Sequence, residues 1–275
     1  MQIDSPWLHR FAILVALLAL ITIVLGAVIT SLLRPLAGPI AASPAAAVPF
    51  EFWHHIAGEV TVVLMLGLAI GFSKQFGWIG LGIGILDGVL GARAITNALP
   101  QLSGILHALL APVFFASIVA IAAMTSGSSK KGSDPIEDTW HPSLRSLGLA
   151  IPAIVLLQIT LGASYRYRAL GVLWHILNAM IVLLLILIVA VFLIRQFPQH
   201  PTLRPAAIAL AVITSIQVLL GFATFLLLIL LPETSPAVVI TSVLHVTTGT
   251  LTFGAAVVLA LQIRSNVGSA VMSPA

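Results

Sequence analysis

The sequence predicts an all-α integral membrane protein: eight transmembrane helices forming two pseudo-repeated four-helix bundles, with both termini cytoplasmic. Three observations lead there. Hydrophobic residues fill 60% of the 275 positions and charged residues 7%, with a mean hydropathy of +1.16. Apolar runs long enough to cross a bilayer core therefore recur along the whole length. Lysine and arginine are unevenly divided between the two ends of these runs, and a short unit of polar residue, Leu-Gly and histidine recurs four times.

Glycine, proline and charged residues punctuate the runs and place spanning helices near 11–33, 51–72, 77–97, 101–124, 146–166, 169–194, 205–231 and 237–264. The first, from Phe11 to Leu33, follows Arg10 as a signal peptide would, but it exceeds the length of a signal h-region and reads as a span. The second opens on Glu51-Phe52-Trp53-His54-His55. Ionisable groups at a membrane entrance are costly, which makes this cluster a functional candidate. Links at Ser73–Phe76, Ala98–Pro100 and Tyr167–Arg168 are short enough to force antiparallel hairpins. Thr125 to Arg145 contains Ser-Gly-Ser-Ser-Lys-Lys-Gly-Ser-Asp-Pro and reads as a flexible linker. It divides an N-terminal half, 1–128, from a C-terminal half, 146–275, with 129–145 as the cytoplasmic connection.

The side holding both termini carries Arg10, Lys74, Lys130, Lys131, Arg145, Arg195, Arg204 and Arg264; the other has Arg34, Arg93, Arg166 and Arg168. The positive-inside rule makes the first side cytoplasmic, as in a bacterial-type inner membrane. The pI of about 10.1 comes from scarce acids rather than basic clusters, which excludes a nucleic-acid partner. Cysteine is absent, so disulfides and thiolate chemistry are excluded and redox work requires a bound cofactor.

The repeated unit carries the chemistry. Odd helices bear Leu25-Gly26, Leu90-Gly91, Leu161-Gly162 and Leu220-Gly221, with Thr22, Asp87, Gln158 or Gln217 four residues before the glycine. The helix after each bears His54, His107, His175 or His245. From these histidines to the next cytoplasmic-side Lys or Arg the chain runs 20, 23, 20 and 19 residues, roughly 30 Å of helix. All four imidazoles should then lie at one level, near the outer edge of the hydrocarbon core.

Two imidazoles facing each other across a bundle suit the axial positions of a haem iron, and four allow one haem per half. An interhelical hydrogen bond is the alternative role for each. Gly26, Gly91, Gly162 and Gly221 fit either clearance for a flat macrocycle or close helix packing. Arg93, Arg166 and Arg168 lie just beyond the Leu-Gly elements, where they could pair with haem propionates or snorkel to lipid phosphates. Glu51 stands one turn before His54, whereas the equivalent residues are Gly104, Val172 and Ser242. It is either a proton acceptor unique to one site or a solvated acid favoured by the helix dipole. His55, with Glu59 one turn on, could support a ligand; His9, His141 and His200 read as solvated surface residues.

Together, the two related halves, the histidine at the outer end of each even helix, Glu-x-x-His at Glu51 to His54, and Gln-x-x-Leu-Gly at Gln158 and Gln217 resemble the haem A synthase family of cytochrome oxidase assembly. The likeness covers nearly the whole chain and is greatest at Gln158–Ala179 and Gln217–Leu261. It implies oxidation of the C8 methyl of haem O to the formyl group of haem A. Haem O as substrate would lie between His54 and His107 with Glu51 as the catalytic residue, and haem B between His175 and His245. Haem O synthase and a quinone or other electron acceptor are candidate partners, alongside the lipid bilayer, and homo-oligomers are compatible with it. The chain departs from the family in having His55 where arginine is usual, Asp87 where glutamine is usual, and no cysteine between Arg34 and Pro49. Two other readings compete: a non-catalytic two-haem cytochrome carrying electrons from quinol, and a transporter or assembly factor without haem.

Overall fold

The computed structural model describes residues 5–33, 46–72, 74–92, 98–126 and 136–268. Among them the chain forms α1 (Pro6–Leu32), α2 (Val48–Phe72), α3 (Gln75–Gly91), α4 (Pro100–Thr125), α5 (Leu144–Arg166), α6 (Val172–Gln196), α7 (Leu203–Leu230) and α8 (Pro236–Asn266). Seven are long and apolar enough to cross a membrane, so the chain is an all-helical membrane protein; α3, with 17 residues, is shorter.

Local chemistry sets the helix ends. Ser5, Ser143 and Ser235 each precede a helix and accept a backbone N–H three residues on, at 3.4, 3.1 and 3.4 Å. Pro6 and Pro236 occupy the first helical position, where no N–H is needed. The Ser5 cap starts α1 a turn before the expected Phe11 and takes His9 and Arg10 into the helix. α3 stops at Gly91 rather than 97, and Arg93 lies outside the described residues, as do Arg34, Lys130 and Lys131. The α5–α6 turn also exceeds the expected Tyr167–Arg168: Arg168 takes the left-handed conformation at φ 59°, and the N–H groups of Ala169 and Leu170 close onto the Ser164 carbonyl at 2.8 and 3.2 Å.

In the first half α1 packs on α2, α2 on α3, α3 on α4, and α4 back on α1; α5 to α8 close a second ring in the same order. The rings meet where α8 lies against α1 and α4, and where α4 meets α5. Of the expected linker, 127–135 lie outside the described residues; the part from Ile136 on is bonded to the second ring. Ile136 N–H donates to the Asn266 carbonyl at 2.9 Å, and the Ile136 carbonyl accepts from Gly268 at 2.8 Å. The buried Asp138 carboxylate accepts the Leu144 and Arg145 N–H groups at 2.9 and 3.0 Å, capping α5, and Trp140 packs edge-on against Phe192 and Phe197.

Each ring has its own apolar core. Leu8, Val15, Met65, Phe72, Phe114 and Ile118 build the first, and Ile151, Ile186, Leu193, Leu210, Leu259 and Ile263 stand in the second. On every helix these residues lie on the same side of the histidine level: before the Leu-Gly elements on odd helices and after the histidines on even ones. Beyond that level the buried residues are mostly small or polar, including Ala27, Ser31, Ser103, Ser164, Thr224 and Ser242. The outer surface of both rings is apolar and faces lipid; Trp53 and Trp174, directly before His54 and His175, are 58% and 59% exposed at the level where an aromatic belt sits.

Candidate functional site

The four histidines are held by one device used four times. His54 Nδ1–H donates to the Thr22 carbonyl at 2.9 Å, and His107 Nδ1 stands 3.1 Å from the Asp87 carbonyl. His175 and His245 do the same to Gln158 and Gln217, both at 3.2 Å. Each acceptor lies four residues before the glycine of a Leu-Gly pair, where an i−4 carbonyl faces the neighbouring helix. A carbonyl can only accept, so where this bond forms Nδ1 carries the proton; at His175 the Gln158 amide nitrogen, a donor, also lies 3.0 Å from Nδ1.

The glycines receive the imidazole rings themselves. A Cβ added at Gly26, Gly91, Gly162 or Gly221 would lie 3.0, 2.9, 2.8 or 2.7 Å from Cε1 of His54, His107, His175 or His245. Sequence reading offered helix packing and macrocycle clearance for these positions; the observed neighbour is the histidine of the next helix. By contrast, a Cβ at Gly82 or Gly88, on the exposed face of α3, would meet nothing within 4 Å.

The rings form two pairs. His54 and His107 have centroids 6.1 Å apart and planes at 88°; His175 and His245 have centroids 6.1 Å apart and planes at 83°. Two imidazole nitrogens on opposite sides of one first-row metal ion, each about 2 Å from it and about 1.2 Å from its ring centre, put the centroids about 6.4 Å apart. Among the described residues no cluster of three or more His, Cys, Asp or Glu suited to a metal ion occurs. Each pair therefore offers two imidazoles.

The surroundings of the pairs differ. In the C-terminal half the Gln158 amide donates to the His175 carbonyl at 3.0 Å and stands 3.2 Å from Nε2, while its oxygen accepts from Asn178 at 2.8 Å. The Gln217 oxygen accepts from the Thr248 hydroxyl. Asn178 and Thr248 are each three residues after a histidine, a same-face spacing legible in the sequence but not singled out there. In the N-terminal half the Thr22 hydroxyl turns back to the Leu18 carbonyl at 3.0 Å, and the buried Asp87 brings Oδ1 to 2.8 Å from His107 Nδ1.

Glu51 stands in the first turn of α2, half-buried, one turn before His54, while His55 and Glu59 are exposed. His9 is not solvated as expected: its Nδ1 lies 2.8 Å from the Ala122 carbonyl and ties α1 to α4. His200 accepts the Thr202 and Leu203 N–H groups at 3.3 and 3.2 Å and caps α7, and burial lowers its pKa. His141 is exposed, as expected.

Two neighbours in the α5–α6 region reach across to the first ring, which sequence reasoning missed. Arg166 Nη2 donates to the Thr30 and Ser31 hydroxyls at 2.7 and 2.8 Å, at the outer end of α1. The Tyr167 ring occupies the space over Gly104 that a side chain there would fill, three residues before His107. Burial pushes its phenol pKa up, partly offset by the Arg166 charge. Arg168 is exposed at the same turn. No family model matches the chain, and no curated protein matches it.

Proposed function

We propose that the chain is a membrane haem protein of the haem A synthase type, oxidising the C8 methyl of haem O to a formyl group, with haem B bound between His175 and His245 and the substrate haem between His54 and His107. The observation that carries the haem assignment is the pair of imidazole couples, 6.1 Å apart in both halves, each with Nδ1 held by a backbone carbonyl. The small and polar residues beyond the histidine level, in place of a packed apolar core, support the same reading.

On this reading the bound haem of the C-terminal half supplies one-electron transfer. The protein's part is positional and acid–base. The Nδ1–carbonyl bonds fix ring orientation, the glycines allow the rings close to the odd helices, and Glu51, the acid one turn before His54, takes a proton at the substrate edge. Arg168, with Arg93 and Arg166, would pair with propionates at the polar edge. Both termini lie on the cytoplasmic side of a bacterial-type inner membrane, by the Lys and Arg distribution.

The equal spacing of the two pairs also favours a second reading, a two-haem cytochrome carrying electrons from quinol without chemistry on haem. Acid extraction and chromatography of haems from the purified chain separates the two. Haem O or haem A in the extract supports the enzyme, haem B alone supports the cytochrome, and a haem-free preparation overturns both. The near-perpendicular ring planes should give a strongly anisotropic low-spin ferric resonance. Glu51→Ala should retain both haems while abolishing haem A formation in cells lacking their own synthase; full haem A production there would overturn the catalytic role of Glu51.

A further inference from the structure

A groove of about 620 Å³ lies between the α6–α7 turn and the first turns of α7, apart from both imidazole pairs. Arg204 and His200 line its polar end, and Ile208, Val212 and Ile213 line the rest; Pro201 and Pro205 fix the backbone beside it. Arg204 stands seventeen residues, roughly 25 Å of helix, before Gly221, at the start of the apolar span Leu203–Leu230. The polar end of the groove therefore meets the membrane surface remote from the histidines. From Arg204 to Ile213 the groove follows α7 for nine residues, roughly 14 Å, close to half of a hydrocarbon core about 30 Å thick. Its depth is that of one leaflet.

The groove carries charge of one sign. Arg204 is exposed, none of the lining residues is a carboxylate, and the sequence has no Asp or Glu between Asp138 and Glu233. Glu233 lies past the other end of α7, and the Asp138 carboxylate is engaged by the Leu144 and Arg145 N–H groups. His200 Nδ1 accepts the Thr202 and Leu203 N–H groups at 3.3 and 3.2 Å, so the ring proton is on Nε2, a second donor. We infer that this groove seats an anionic phospholipid of the adjoining leaflet, with its phosphate at Arg204 and His200 and an acyl chain along Ile208, Val212 and Ile213. A guanidinium can take two phosphate oxygens at once, and the apolar wall covers the chain below them. A zwitterionic headgroup brings the same phosphate with an added ammonium group, which finds no carboxylate in the groove and is repelled by Arg204; the site thus selects by headgroup charge. This inference does not depend on the haem reading.

The test places the purified full chain in nanodiscs of phosphatidylcholine with and without phosphatidylglycerol, read by native mass spectrometry of retained lipid and by thermal unfolding. The parent should hold phosphatidylglycerol at least about tenfold more tightly than phosphatidylcholine, the scale of one charge-assisted contact. Arg204→Gln, at an exposed position, should remove that preference. Val212→Trp, which fills the wall and leaves the charge intact, should lower retention of phosphatidylglycerol. Arg264→Gln removes a charge on the same side, where Asn266 donates to Thr202 at 3.3 Å, but outside the groove, and should leave the preference unchanged. Equal retention of the two lipids by the parent, a preference that survives Arg204→Gln or falls equally in Arg264→Gln, or undiminished retention by Val212→Trp would each overturn the inference. Inorganic phosphate added to phosphatidylcholine nanodiscs should leave the unfolding temperature unchanged; a rise equal to that given by phosphatidylglycerol would overturn the lipid as occupant.

Discussion

Gly91→Ala and Gly88→Ala, three residues apart on α3, differ only in what the new methyl meets. At Gly88 it meets nothing within 4 Å. The substitution should then register helix propensity alone and stabilise by up to about 1 kcal/mol. At Gly91 the methyl would sit 2.9 Å from His107 Cε1, about 0.5 Å inside ordinary contact at 3.4 Å. The imidazole cannot swing freely to relieve this, because Nδ1 is tied to the Asp87 carbonyl at 3.1 Å. Overpacking of this kind costs about 1–3 kcal/mol, and a weakened hydrogen bond adds about 1 kcal/mol. After subtracting the propensity gain, Gly91→Ala should destabilise by about 1–3 kcal/mol and displace His107 Nε2 from its partner across the bundle. Thermal unfolding in mild detergent reads the first effect, and absorbance of the haem proposed at this site reads the second. If both variants unfold alike and hold haem alike, the glycines do not serve the histidines and the site geometry proposed for them is wrong.

Further predictions concern contacts that tie elements together. Arg166→Gln should lose the charge-assisted bonds to Thr30 and Ser31 and lower stability by about 2 kcal/mol, the lower part of the range for such bonds at a half-buried site. Thr30→Val in the Arg166→Gln background should cost little more, and full additivity would argue against the contact. His200 caps α7 in its neutral form, and burial lowers its pKa from 6.5, so the folded state binds this proton less readily than the unfolded chain. Its stabilising contribution is complete above pH 6.5 and is lost as pH falls through the folded-state pKa. Protection of the amides in the first turn of α7, corrected for intrinsic exchange, should therefore fall on acidification in the parent and not in His200→Asn, which keeps an uncharged acceptor; equal acid sensitivity in both would refute the assignment.

The repeated unit was legible in the sequence because it is written four times, each histidine 19 to 23 residues from the next Lys or Arg. What each glycine touches was not, since helical spacing locates a residue on its own helix but does not name its neighbour. Arg166 and His9 show the same limit more sharply: their partners on α1 and α4 are over a hundred residues away, and a basic side chain near a helix end reads equally well as snorkelling. The Asp138 cap was missed for a different reason: a lone acid in a polar connection reads as solvated, yet it supplies N-terminal partners of α5. The early end of α3 was missed because Gly91 was read as part of the repeated Leu-Gly element rather than as a helix terminus.

The pairing of Ile136 with the backbone just past α8 sets an order on synthesis. The segment ahead of α5 is among the first of the C-terminal half to leave the ribosome, but the residues that fasten it, Asn266 and Gly268, are among the last of the described chain. α5 must therefore wait, through the emergence of three further helices, before its leading loop finds its permanent neighbours, whereas the first ring needs nothing from that loop to close. The second ring completes only after α8 has emerged, which makes its assembly the later event and loss of the residues just past α8 a lesion felt first at the entrance to α5.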